Sequence, residues 1–124
     1  MRGPARLRAA LAAAAALAPA PLSAQEAVRV RAGEHPAYTR VVIDAAPGAA
    51  FDWGVAGETL TILMGEPGAA LELAAARAAP GLSRIAGFDA VTTPSGAALT
   101  LRLTCPCGAR AMRLGDGRFV LDVA

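Results

Sequence analysis

The chain has 124 residues, of which 55% are hydrophobic and 18% charged, and its formal net charge at pH 7 is +2. All twelve cationic residues are arginines, and three of them precede Gln25, so residues 25–124 carry nine arginines against ten acidic residues and a formal charge of −1. A near-neutral domain lacks the broad basic surface that phosphate backbones require, so the composition excludes nucleic acid as a partner.

The first segment has the organisation of a secretory signal peptide. An arginine-bearing start leads into an alanine and leucine run from Ala9 to Ala18, and the small residues Leu22-Ser23-Ala24 form a cleavage pattern. A transmembrane helix needs about 20 apolar residues, roughly twice the length of this run. We therefore expect a signal peptide over Met1 to Ala24, a periplasmic or secreted protein that begins at Gln25, and no stable membrane anchor.

Two strands around a His-Pro loop are predicted next. In the first, from Val28 to Arg31, valines alternate with arginines, and in the second, from Tyr38 to Asp44, Val41 and Ile43 alternate with polar residues. Because side chains alternate across a strand, the valines and Ile43 face the core and the arginines face the other side. The loop between the strands should bring His35 close to these arginines.

Trp53 belongs to the next predicted hairpin. The strand from Phe51 to Val55 places Phe51, Trp53 and Val55 on one face, and its partner from Thr59 to Met64 offers a matching apolar face. Packing these two faces together accounts for Trp53 as a core residue, which is the interpretation we favour. A surface tryptophan that stacks on a sugar ring is the alternative.

The remaining pattern predicts an all-β domain with one short helix. Ala69 to Ala79 is rich in helix-forming residues and ends before Pro80-Gly81. The later predicted strands are Leu82 to Thr92, with a bulge or bend at Gly87, and Leu99 to Leu103. Ala109 to Leu114 and Arg118 to Val123 are predicted to form the last hairpin. Short strands separated by frequent turns are typical of an antiparallel β sandwich or small barrel, here of about seven or eight strands and filling residues 25–124 as one domain.

The residue inventory argues against an enzyme. His35 is the only imidazole, and neither Ser83 nor Ser95 lies in the pattern of a nucleophile elbow. A zinc-dependent hydrolase needs several histidine and acidic ligands, which this chain lacks. We therefore expect no catalytic residue, no metal and no cofactor.

The two cysteines lie in the motif Cys105-Pro106-Cys107. A disulfide between them, a redox or metal-binding pair, and two separate thiols are the three interpretations. A turn at Pro106 would bring the two Cα atoms within the range of disulfide geometry, and an oxidising compartment favours the bond. We expect the disulfide.

Several short motifs resemble those of AMIN domains, the exported β modules that precede bacterial cell-wall amidases and some secretins. They are the basic first strand, the His-Pro loop and Thr39 to Asp44. The end of the chain, from Leu101 to Cys107 and from Arg118 to Val123, is similar to a variant found in exported bacterial proteins. The resemblance implies a non-catalytic β domain that associates with peptidoglycan or other envelope polymers.

These observations predict a binding or scaffolding module of the cell envelope whose partners are peptidoglycan or envelope proteins. The candidate ligand-binding residues are Arg29, Arg31, Arg40, His35 and Trp53. Arginine binds carboxylates bidentately, and the stem peptides of peptidoglycan carry free carboxylates. An ion pair between Arg40 and Asp44 is the competing structural role for the second strand. The alternative function is a structural or protein-interaction domain that is the remnant of a longer envelope protein.

Overall fold

The computed structural model describes residues 26–124, which form nine strands and one short helix. The predicted signal peptide lies outside the described residues. In chain order the elements are β1 (Glu26–Glu34), β2 (Thr39–Ile43), β3 (Ala50–Ala56), β4 (Thr59–Gly65), β5 (Ala69–Glu72), α1 (Ala74–Ala78), β6 (Ile85–Thr93), β7 (Gly96–Leu103), β8 (Ala109–Arg113) and β9 (Phe119–Val123).

The strands form two sheets that share one apolar core. The five-stranded sheet has the order β5-β1-β2-β9-β8, and the four-stranded sheet has the order β3-β4-β7-β6. The inner face of the first contributes Val30, Ile43 and Leu121, and that of the second contributes Leu60 and Leu101, all fully buried. The predicted nearly all-β architecture is confirmed. Its two sheets are antiparallel except for the pairing of β5 with β1, and the arrangement is sandwich-like.

The segment predicted as one helix, Ala69 to Ala79, divides into a strand and a helix. The strand β5 pairs with β1 in parallel, with Leu71 opposite Val28, and Leu71 packs against the core. The helix α1 covers only five residues and buries Ala76. Intrinsic helix propensity is a weak preference that strand pairing overrides here, and this is why the structure has more strands than predicted.

The predicted hairpins of β1 with β2, β3 with β4, and β8 with β9 are confirmed by their antiparallel registers. Of the bulge or bend predicted at Gly87, the structure has a bulge, because the pairing of β6 with β7 shifts between Ile85 and Gly87. A bulge re-aims the side chains beside it, which matters for Arg102, the residue opposite Gly87 on β7.

Candidate functional site

The β1–β2 hairpin places its arginines on the solvent side of the five-stranded sheet. In its register, Val30 lies opposite Ile43 and both are fully buried, while Arg31 lies opposite Val42 and Arg40 opposite Gly33. Since pairs alternate between the two faces, the side chains of Arg31 and Arg40 face outward. We call the solvent side of this sheet, with Arg29, Arg31, Arg40 and Arg110, the outer arginine face.

The His-Pro loop is held in place by a network around Glu34. The Glu34 carboxylate accepts hydrogen bonds from the Thr39 hydroxyl at 2.5 Å, from the Ser83 hydroxyl, and from Arg84 Nη1 at 3.1 Å. Arg84 Nη2 also donates to the carbonyl oxygen of Pro36 at 3.1 Å. The hydrogen bond from Ser83, followed by that from Thr39, lowers the pKa of Glu34. The loop is therefore anchored to the segment before β6.

His35 lies at the edge of the outer arginine face, in contact with Tyr38. The two rings stack with centroids 4.6 Å apart, and the His35 backbone N–H donates to the Tyr38 carbonyl oxygen at 2.9 Å. The guanidinium carbon of Arg40 lies 5.1 Å from the centroid of the Tyr38 ring, within the range of a cation–π contact. Tyr38 thus joins the predicted residues His35 and Arg40 into one row.

Arg31 and Arg40 are each bound by a carboxylate. Arg31 donates from Nε and Nη2 to Asp44 at 2.7 and 2.8 Å, and Arg40 donates in the same way to Asp122 at 2.8 and 2.9 Å. These hydrogen bonds lower the pKa of both aspartates. The competing role predicted for Arg40, a pair with Asp44, is wrong in its partner: Asp44 bonds Arg31, and the carboxylate for Arg40 comes from β9, which lies beside β2.

Two arginines of the same face keep their donors available. Arg110 on β8 lies opposite Asp122 and is exposed, and its guanidinium forms no hydrogen bond or ion pair with any residue of the 26–124 segment. The guanidinium of Arg29 is likewise exposed and without a hydrogen bond or ion pair among these residues, although Glu72 lies opposite Arg29 in the parallel register with β5. The outer arginine face therefore contains two bound and two available guanidinium groups.

Two shallow hollows lie on this face. One, of about 420 Å³, is lined by Ala37, Tyr38, Gly108, Ala109, Arg110, Asp122 and Ala124. The other, of about 190 Å³, is lined by Arg31, Ala32, Gly33, His35, Arg40 and Val42. The first has the size of a small ligand site. It combines an aromatic ring with an available guanidinium.

The larger hollow depends on residues that the sequence analysis did not select. Arg110 and Asp122 lie in the predicted last hairpin, and their alternation with apolar neighbours could have marked them as outward-facing. Their proximity to Tyr38 follows from the pairing of β2 with β9, which joins segments about 80 positions apart. No local pattern contains that information.

Trp53 is not part of this group. It lies on β3 in the four-stranded sheet, opposite Ile62, and is partly buried against the core. This position agrees with the core interpretation. The structure therefore brings together Arg29, Arg31, Arg40 and His35 of the predicted binding residues, and it separates Trp53 from them.

Cys105 and Cys107 lie in the turn between β7 and β8. Their Cα atoms are 5.1 Å apart and the structure pairs them as a disulfide. The residue after the pair, Gly108, exchanges two backbone hydrogen bonds with Ala124, at 2.9 and 3.1 Å. The turn thus lies beside the end of β9, at one end of the outer arginine face. Its oxidation in the exported protein stays a prediction.

Neither a metal-ligand cluster nor a membrane-spanning helix is found within residues 26–124. This part of the chain contains no group of three or more histidine, cysteine or acidic side chains that could hold a metal ion. None of its helices is long and apolar enough to cross a membrane. The candidate site consists of arginines, aspartates and two stacked rings on the solvent side of the five-stranded sheet.

Comparison of the chain with models of known protein families, with curated proteins and with solved structures found no match. The resemblance to AMIN domains consequently stays a prediction from the short motifs described above.

Proposed function

We propose that this protein is a non-catalytic binding module of the bacterial cell envelope, and that it binds peptidoglycan through the outer arginine face. The observation that carries the proposal is Arg110, an exposed guanidinium with no hydrogen-bonded partner in the described part of the chain, beside the hollow of about 420 Å³ that Tyr38 also lines. Charge-assisted, bidentate hydrogen bonds to a carboxylate are the strongest contacts that such a group makes.

The ligand chemistry fits the composition of this hollow. Peptidoglycan offers carboxylates on its stem peptides and sugar rings with apolar faces. Arg110 supplies the cation, and the Tyr38 ring supplies an amphipathic surface whose orientation is held by His35 and Arg40. Arg29 lies on the same face and provides a second contact for a polymer with repeating charges.

The four arginines then have two different roles. Arg29 and Arg110 contact the ligand. Arg31 and Arg40 hold the strands and their neighbouring carboxylates in place, because each already donates two hydrogen bonds to one aspartate. The proposal therefore moves the binding role away from two of the arginines that the sequence pattern selected.

Co-sedimentation with purified, insoluble peptidoglycan tests the proposal. We expect the protein to sediment with the polymer at low salt, and the Arg29→Gln/Arg110→Gln variant to stay largely in the supernatant. The matched control, Ala56→Glu/Thr92→Glu, lowers the net charge by the same amount at exposed positions of the four-stranded sheet and should sediment like the parent. Absence of sedimentation of the parent, or equal loss in both variants, would contradict the proposal.

One observation favours the alternative, a protein-interaction domain. The strand β3 is an edge of the four-stranded sheet, and its Val55 is 38% exposed. Exposed edges can pair with a strand of another protein. One N–H of this edge, that of Trp53, already donates to the side chain of Asp52 at 2.9 Å, which opposes such pairing. We therefore rank this function second.

A further inference from the structure

A second cluster of cationic residues lies on the other side of the molecule, where α1 meets the bulged part of β6. A hollow of about 400 Å³ opens there, lined by Ala76, Arg77, Ala79, Leu82, Ile85, Ala86, Gly87, Phe88, Asp89 and Arg102. We call it the bulge hollow. Its volume is within the range of small-ligand sites, and the sequence analysis assigned no binding role to any of its residues.

Two guanidinium groups converge on one carboxylate at the rim of the bulge hollow. Arg77 Nη2 lies 3.7 Å from Asp89 Oδ1, and Arg102 Nε lies 3.8 Å from Asp89 Oδ2. Both distances exceed that of a hydrogen bond, so Asp89 partly neutralises the two guanidinium groups without accepting a hydrogen bond from either. The three side chains together carry one net positive charge.

Arg77 is oriented before any ligand arrives. Its Nε and Nη2 both donate to the carbonyl oxygen of Phe88, at 3.3 and 2.8 Å. These bonds fix the plane of the guanidinium and leave Nη1 without a partner among the described residues. Fixing the donor group in advance reduces the entropy that binding would otherwise cost.

Arg102 lies directly against the backbone of Gly87. A Cβ atom at that position would overlap the Arg102 guanidinium, so the absence of a side chain on Gly87 leaves room for it. The bulge between Ile85 and Gly87 sets the position of this backbone. The guanidinium of Arg102 makes no hydrogen bond within the described residues, and its N–H groups are available to a ligand.

We propose that the bulge hollow is a binding site for a small free carboxylate, held between Arg77 and Arg102. A carboxylate has two oxygens in one plane and can accept from both guanidinium groups at once. A monoanion matches the single net charge of the site, whereas Asp89 would repel a phosphate dianion more strongly. The alanines and Gly87 around the hollow leave room for a small substituent. The carboxylate can belong to a free acid or to the C-terminus of a peptide.

An NMR titration of the ¹⁵N-labelled protein tests this site, independently of the proposed function. The probes are sodium acetate and N-acetyl-alanyl-alanine at constant ionic strength, with N-acetyl-alanyl-alanine amide as the uncharged control and inorganic phosphate as the competing anion. We expect both carboxylates to shift the backbone amides of Gly87, Phe88 and Asp89. A stronger response to the dipeptide assigns the source to a peptide C-terminus, and an equal response assigns it to free acids. An equal response to the amide, or a stronger one to phosphate, would overturn the proposal.

Three variants locate the site. Arg77→Gln/Arg102→Gln should raise the Kd for the carboxylate at least about tenfold, since a charge-assisted hydrogen bond contributes about that much. Gly87→Ala should have a similar effect without removing charge, because its methyl group displaces the Arg102 guanidinium. Ala56→Glu/Thr92→Glu, which lowers the net charge equally at two exposed positions outside both sites, should leave the Kd unchanged. Equal weakening by the latter variant, or unchanged binding in Gly87→Ala with the amide spectrum otherwise preserved, would refute the assignment.

Discussion

The outer arginine face and the bulge hollow use the same residue types in opposite ways. On the outer arginine face, Arg31 and Arg40 each form two hydrogen bonds of 2.7–2.9 Å with their own aspartate. In the bulge hollow, two arginines share Asp89 at 3.7 and 3.8 Å. The number of arginines in a region therefore says little about its capacity to bind anions. The position of the nearest carboxylate decides whether an arginine is available to bind an anion.

Strand register explains part of the difference. On the outer arginine face, a regular antiparallel ladder places Asp122 directly opposite Arg40, at the separation that suits a fork of two hydrogen bonds. Asp44 lies diagonal to Arg31, which is opposite Val42, and it still accepts two hydrogen bonds. In the four-stranded sheet, Asp89 is also diagonal to Arg102, but the pairing there shifts at the bulge between Ile85 and Gly87, and Arg102 lies against the Gly87 backbone. The difference therefore follows from the bulge and not from a diagonal placement alone.

Removal of Asp122 should have the largest effect on stability among these carboxylates. The side chain of Asp122 is only 16% exposed, and Asp122→Ala leaves the half-buried Arg40 without its partner. We expect a loss of about 1–2 kcal/mol in the free energy of unfolding, the range for hydrogen bonds to charged groups after partial solvent screening. Urea denaturation at neutral pH measures it.

The matched control for this prediction is Asp89→Ala. The side chain of Asp89 is 65% exposed and makes no hydrogen bond to either arginine, so its removal should change stability by less than about 0.5 kcal/mol. Similar losses of unfolding free energy in the two variants would show that Asp122 and Asp89 do not differ in their contribution to stability.

Acid should weaken the ion pairs of the outer arginine face, because it protonates the two aspartates that form them. Hydrogen bonds from Arg31 and Arg40 lower the pKa of Asp44 and Asp122 in the folded protein. Their stabilisation is therefore complete above the unfolded pKa of about 3.9, and it is lost as the pH falls from there through the lower folded values. We expect the Asp44→Asn/Asp122→Asn variant to show a flatter dependence of unfolding free energy on pH below about 4. An unchanged slope in that variant would show that other groups cause the acid sensitivity.

The sequence correctly predicted the features that depend on local pattern. Alternation of Val28 and Val30 with arginines, and of Val41 and Ile43 with polar residues, correctly predicted which side chains face the core. Such alternation depends only on the geometry of a strand, so one sequence suffices to read it. The bulge or bend predicted at Gly87 also came from a local signal, a glycine inside a strand pattern.

Which arginines are bound by a carboxylate depends instead on which strands become neighbours. Asp122 reaches Arg40 because β9 is inserted between β2 and β8, an arrangement that joins the two ends of the domain. The parallel pairing of β5 with β1 likewise converts residues with helix propensity into a strand. These long-range pairings settle which arginines are bound, and periodicity within a segment does not contain them. This is why the sequence selected Arg31 and Arg40 and missed Arg110.

The most direct test of the account is an NMR measurement of the arginine side chains at neutral pH. Bidentate hydrogen bonds hinder rotation of the guanidinium group and protect Nε–H from exchange with water. We expect slow Nε–H exchange and restricted rotation for Arg31 and Arg40, and fast exchange with free rotation for Arg29, Arg102 and Arg110. Fast exchange at Arg31 and Arg40, or equal protection of all five, would contradict the division into bound and available arginines on which both proposals depend.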